Sequence, residues 1–273
     1  MSPSPSEPAS GSPGVSSSPT DGLRFAFGTL TVLPVTVHRW DRAAARAGML
    51  SAPVAGLVIG LSSAALSCVL LLLGAGPLLA ATAGVAVPAV LTRGLHLDGL
   101  ADTADGLGSG RPAEDALRIM KQSDIGPFGV ITLVFVLIGQ VAALAQAYGD
   151  SWARGAVAAV VSATVARAAL TLASRAGVPP ARPEGLGAAV AGAVPWRGAL
   201  LVAVAVAVAS VAAGALLGSY GAVRTVVAAG CALGAAELLL RHCVRRFGGV
   251  TGDVFGALEE TALTVALVLL ALG

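Results

Sequence analysis

The stretch Leu95-His96-Leu97-Asp98-Gly99-Leu100-Ala101-Asp102-Thr103-Ala104-Asp105-Gly106 decides how this chain is read. It follows an apolar run, Pro77 to Leu91, that approaches the length of a membrane span. Three carboxylates then arrive in quick succession, with a histidine just ahead. In a helix, Asp98 and Asp102 are i,i+4 partners and Asp102 and Asp105 are i,i+3 partners, so all three share one face. Like charges at that spacing repel, so bare stability does not explain them. A hard divalent cation does, because Mg²⁺ takes oxygen ligands and binds through one or two carboxylates plus substrate phosphates. The plainer alternative is a solvated polar loop between two spans. Ordinary loops, however, seldom keep three acids in register beside hydrocarbon.

Composition places these acids in a membrane protein. Hydrophobic residues make up 56% of the 273-residue chain and charged residues 12%, and mean hydropathy is +0.84. Soluble domains carry about a quarter charged residues, so the expected fold is all-α, a polytopic membrane bundle of about seven transmembrane helices. The spans read as 50–73, 77–95, 128–147, 153–173, 198–217, 223–240 and 255–272, each near the roughly 20 residues a bilayer needs. Residues 1–21 form a Ser/Pro/Gly-rich leader expected to be disordered, and 22–273 form one transmembrane catalytic domain. Within it, 23–37 is apolar but short and holds Pro34, which suits a re-entrant or interfacial helix. Cys68, Cys231 and Cys243 form no CxxC pattern and read as packing residues.

Cations orient the bundle. Arg39, Arg42 and Arg46 precede the first span, and Arg93, Arg111, Arg118 and Lys121 lie between the second and third. Arg175 and Arg182 lie between the fourth and fifth, and Arg241, Arg245 and Arg246 between the sixth and seventh. Seven spans put all of these on one side, which the positive-inside rule makes cytoplasmic. No basic cluster resembles a nucleic-acid footprint, so the expected surroundings are membrane lipid and no nucleic acid. A homo-oligomer is compatible with the sequence.

Three polar connections share that face: the acidic stretch with its continuation through Met120-Lys121 and Ile125-Gly126, then Ala181-Arg182-Pro183-Glu184-Gly185-Leu186-Gly187, then Arg245-Arg246-Phe247-Gly248-Gly249-Val250-Thr251-Gly252-Asp253. The glycines of the last would bring backbone N–H groups close to a phosphate, and Arg245 or Arg246 would pair with its oxygens. Asp253 would complete a metal site with the first acids. Acids and bases converging on one cleft suit a metal–phosphate substrate and transfer of a phosphoryl-linked group.

Taken together, these segments resemble the bacterial cobalamin synthase family, the adenosylcobinamide-GDP ribazoletransferases of late vitamin B12 assembly. The resemblance runs from about Gly22 to the end of the chain. It implies that a ribose hydroxyl of α-ribazole, or of its 5′-phosphate, attacks the cobinamide-bearing phosphate of adenosylcobinamide-GDP. GMP leaves, and adenosylcobalamin or its 5′-phosphate forms. It also implies Mg²⁺, with Asp98, Asp102, Asp105 and Asp253 as ligands. The expected catalytic residues are Asp98, Asp102, Asp105 and His96, of which an acid or His96 takes the hydroxyl proton. The expected substrate-binding residues are Lys121, Arg182, Glu184, Arg245, Arg246, Gly248, Gly249 and Thr251.

Other polar residues have simpler readings. Glu237, inside the sixth span, where an acid is costly, either has a functional role or pairs with Arg167 in the fourth. Glu259 and Glu260 open the last span as ligands, supporting groups or interfacial acids. His38 and His242 read as interfacial. A CDP-alcohol phosphotransferase-type membrane enzyme is the rival reading, because it also uses spaced aspartates, but Ala101-Asp102 stands where its Ala-Arg pair belongs. A transporter is the second rival, and it would place its charges at the midplane.

Overall fold

The computed structural model describes residues 18–272, and the leader 1–17 lies outside them. The described residues form eleven helices and no strand: α1 (Pro19–Leu30), α2 (Arg42–Leu72), α3 (Pro77–Leu91), α4 (Leu95–Gly108), α5 (Ala113–Ile119), α6 (Pro127–Asp150), α7 (Trp152–Ala173), α8 (Gly185–Val190), α9 (Trp196–Ala215), α10 (Ser219–Phe247) and α11 (Gly252–Ala271). Six of these, α2, α6, α7, α9, α10 and α11, are long and apolar enough to cross a bilayer. α3 and α4 make the seventh candidate, bent by 87° at their junction. The chain is a multi-pass membrane bundle, as its composition requires.

Local chemistry sets the element ends. Ser18 and Asp21 form a reciprocal capping box at the start of α1. Ser18 to Asp21, the last four residues of the expected leader, therefore belong to this capped helix start. The helix expected over 23–37 is likewise shifted, because it stops at Leu30 and the chain runs non-helical to Asp41. Asp41 caps α2 by accepting from the N–H groups of Ala43 and Ala44 at 2.9 and 3.0 Å. Between α3 and α4 the chain turns through Arg93 and Gly94, both left-handed at φ 53° and 70°.

α7 and α11 form the centre. Their most apolar windows are 72% buried, against 22% for α6 and α9, which face outward. α2 lies close against α7 because Gly56 and Gly60 present no side chain there: a Cβ on Gly60 would stand 2.8 Å from the Cα of Val160. α4 and α11 cross by the same device. A Cβ on Gly99 would stand 2.9 Å from the Cα of Asp253, and one on Gly256 would stand 2.8 Å from the His96 carbonyl.

The polar connections meet at one end of the bundle. Val250 donates its N–H to the Pro179 carbonyl and accepts from Ala181 N–H, both at 2.9 Å. Arg42 donates to the Ala191 carbonyl at 3.0 Å. At the opposite end Gln146 donates to the Ala271 carbonyl at 2.8 Å and Arg224 to that of Leu270, satisfying carbonyls that the end of α11 would otherwise leave open.

The buried charges pair differently from the expectation. Arg167 pairs with Glu259, each only 1% exposed. Glu237 instead pairs with Arg175 and Arg241, both at 2.8 Å. Glu237 stands nearly three turns before the end of α10 and is partly exposed, a quarter of its side chain reaching solvent.

Candidate active site

Asp98 and Asp253 line one cavity of about 300 Å³ together with His96, Arg182, Glu184 and Thr251. The α4–α11 crossing at Gly99 brings the two acids together across about 155 residues of chain, since Asp98 adjoins the glycine that touches Asp253. Thr251 caps α11 through its side chain, which accepts from Val254 N–H at 3.3 Å. The same hydroxyl donates to Asp253 Oδ2 at 3.1 Å and fixes that carboxylate. Arg182 approaches Asp253 from the α7–α8 connection at 3.8 Å and is itself held by the Leu117 carbonyl of α5.

Asp102 stands one turn along α4 from Asp98, half-buried, and feels the like charges of Asp253, Asp98 and Asp105. Those charges have one nearby counter-charge, Arg182. His96 is 3% exposed and its Nδ1 has no hydrogen-bond partner within the described residues.

The third acid of the motif does something else. Asp105 accepts Gly126 N–H at 2.7 Å on one oxygen and Gly129 N–H at 2.9 Å on the other. α6 begins at Gly126-Pro127 with no capping side chain of its own, so its first amides need an acceptor from outside. Asp105 supplies it, with its charge placed at the positive end of the helix. Asp105, expected beside Asp98 as a metal ligand, therefore does not line the cavity, and both its oxygens accept backbone N–H groups. Asp105→Asn keeps one acceptor oxygen and turns an N–H₂ toward a backbone N–H. It is expected to destabilise the protein by about 1–3 kcal/mol, read as a lower melting temperature in detergent, while turnover per folded molecule falls far less than for a change at Asp98. Equal losses of turnover at both positions would return Asp105 to the catalytic set.

Several expected binding residues also lie elsewhere. A Cβ on Gly249 would press within 2.5 Å of the Ala181 nitrogen, so this glycine joins two protein loops rather than admitting a phosphate. Gly248 is the left-handed end of α10, at φ 80°. Arg246 reaches the Arg111 carbonyl and the Phe247 ring, while Arg245 and Lys121 are exposed. None of these five lines the cavity, although all share its end of the bundle. Gly185, Gly187, Gly252 and Gly256 are the glycines at the cavity itself. Gly187 lets α8 rest on the Thr251–Gly252 backbone.

With this geometry in place, the comparisons decide the family. The model of the cobalamin-5-phosphate synthase family matches residues 22–271. The chain belongs to this family. A Frankia casuarinae protein described as adenosylcobinamide-GDP ribazoletransferase is 43% identical over 91% of this chain and 94% of its own. Proteins of the same description from Bradyrhizobium diazoefficiens and a Nocardioides species are 40% and 39% identical, covering 91% and 90% of this chain and 92% and 96% of their own. No solved structure matches it. Cobalamin-5-phosphate synthase membership sets aside both the CDP-alcohol phosphotransferase and the transporter readings.

Proposed function

We propose that the chain transfers the adenosylcobinamide-phosphate group of adenosylcobinamide-GDP to α-ribazole or its 5′-phosphate, releasing GMP and forming adenosylcobalamin or its 5′-phosphate. Family membership supports the reaction, and the observation that carries the site is the convergence of Asp98, Asp253 and Arg182 on one cavity.

Mg²⁺ fits the donor set. Among the described residues no three His, Cys, Asp or Glu side chains close around one ion. Mg²⁺ does not need three, because it binds through one or two carboxylates and takes its other oxygens from phosphates and water. Asp98 and Asp253, with Asp102 beside them, would hold it. Bound there, the ion would supply neutralisation of the diphosphate and of the charge that builds on departing GMP.

The protein's own groups perform the remaining work. Arg182 pairs with a phosphate oxygen in a fixed fork geometry. Thr251 and Arg182 together orient Asp253. The attacking ribose hydroxyl forms the new P–O bond as the bond to GMP breaks. Its proton passes to a carboxylate at the cavity mouth, within the same cavity wall. The assay is GMP release from adenosylcobinamide-GDP by membranes carrying the protein, with and without α-ribazole. Release that depends on α-ribazole and yields the cobalamin supports the reading, and its absence from correctly inserted protein overturns it.

The site is assigned to the cytoplasmic face, on the cation asymmetry of the sequence. Lys121, Arg245, Arg246 and Arg111 ring that end and would meet a large anionic substrate before it enters. In a cysteine-free background, single cysteines at Ser109, Glu184 and Arg245 are expected to label from the cytoplasm, and one at Ser219, at the other end of the bundle, from outside. Mixed labelling among the first three would break the shared-face assignment.

A further inference from the structure

We infer that the 300 Å³ cavity is the pocket for the acceptor's base, and that it selects a flat apolar bicycle with a single ring acceptor. This rests on the ribazoletransferase reading and specifies which substrate the cavity holds. The argument begins with its floor. Met49, Leu170 and Val190 are each 2% exposed, and Leu30 and Phe255 are 4% and 7% exposed. The charged groups, Asp98, Arg182, Glu184 and Asp253, are the more exposed members of the same lining and make its mouth. A ligand here buries an apolar body and leaves its polar part at the acids.

One unpartnered polar atom interrupts the buried lining. His96 lines the cavity, is 3% exposed, and has an Nδ1 with no partner among the described residues. A buried polar group without a hydrogen bond is costly, so this atom waits for one made by the ligand. On this assignment Nδ1 carries the proton and donates a single hydrogen bond to the ligand; Thr251, the other buried polar residue of the lining, is already engaged with Val254 and Asp253.

Two flat bicycles are available in the reaction, the guanine of the donor and the benzimidazole of α-ribazole. Guanine carries several donors and acceptors along its edge, and this floor would leave nearly all of them unpaired, at a large cost. Dimethylbenzimidazole carries two methyl groups and, once its other nitrogen bears the ribose, one ring nitrogen that accepts. That inventory matches one donor and an apolar wall. The corrinoid is excluded by size, since the cavity stands at the small end of the roughly 300–1,000 Å³ range of ligand pockets. With the base on the floor, the ribose reaches the mouth, where its hydroxyl meets the carboxylates and the incoming phosphate.

The test varies the acceptor on the wild-type protein in lipid nanodiscs, at saturating adenosylcobinamide-GDP. Removing both methyl groups is expected to lower kcat/KM by about tenfold or more, the discrimination an apolar pocket makes per missing carbon or two. The indole riboside, with C–H in place of the accepting nitrogen, is expected to lose at least a further tenfold, because His96 is again left unpaired. Val190→Phe, which fills the floor, is expected to raise the KM for α-ribazole about tenfold with the KM for adenosylcobinamide-GDP within twofold. Indole and benzimidazole ribosides transferring equally, or Val190→Phe raising only the adenosylcobinamide-GDP KM, would overturn the assignment. If Val190→Phe does not fold, the acceptor series on the wild-type protein still decides. A wild-type protein that accepts no riboside at all would count against the reaction itself rather than against the pocket.

Discussion

Asp98→Asn and Asp253→Asn are each expected to lower GMP release from adenosylcobinamide-GDP by about 10²–10³-fold, the loss that follows removal of one preorganised group that stabilises charge at the reacting phosphate. Both variants keep side-chain shape, and although each acid lies in the first turn of its helix, neither accepts a backbone N–H among the described residues as Asp105 does, so insertion and melting temperature should stay near wild type. The Mg²⁺ concentration for half-maximal rate should rise as well, because an amide gives up the negative charge a hard cation prefers. The two effects belong together. Gly99 seats the backbone of Asp253 beside Asp98, so the two acids border the same cavity from two helices. A diphosphate presents charged oxygens in several directions, and carboxylates on α4 alone would meet it from one side only. Near-normal, Mg²⁺-dependent turnover in both variants would remove them from the metal site.

Much of this site is legible in the sequence, for a physical reason. Asp98 and Asp102 are one helical turn apart, and a helix face can be read from spacing alone. Asp253 follows a glycine-rich turn that opens an apolar helix, which places it at a span end. Its contact with Gly99 depends on how two helices cross, and spacing within one helix carries no such information. The role of Asp105 was hidden for a similar reason. Its partners lie 21 and 24 residues on, at a helix start whose signal is a missing capping side chain at Gly126-Pro127. Read as a demand for an acceptor, that start would have pointed to a carboxylate elsewhere. Gly249 misled because a glycine permits close approach without saying whether a ligand or another loop approaches.

The partner of Arg167 was misassigned because both α10 and α11 carry an acid, and rotation about the helix axis is not written in either apolar pattern. The observed pair makes the second large prediction. Arg167 and Glu259 lie 1% exposed at the α7–α11 contact, in the most buried part of the bundle. Next to them Glu260 accepts from Gln140 Nε2 at 2.8 Å, and Gln140 donates also to Thr264 Oγ1 at 3.0 Å. Arg167→Met removes the cation and leaves two adjacent acids in a dry interior, one of them unpaired. Breaking a buried pair from one side costs about 3–5 kcal/mol, since the remaining charge keeps its desolvation penalty and loses its compensation. The melting temperature of the detergent-solubilised protein should therefore drop sharply, and the expressed yield with it. Arg167→Met combined with Glu259→Gln should recover most of the loss, because no uncompensated charge remains at the pair. That recovery separates an electrostatic origin from lost packing: a cavity left by the arginine stem would persist in the double variant. A single Arg167→Met that melts within about 1 kcal/mol of wild type would mean that the pair does not hold α7 and α11 together, and that their contact is maintained by small apolar residues alone.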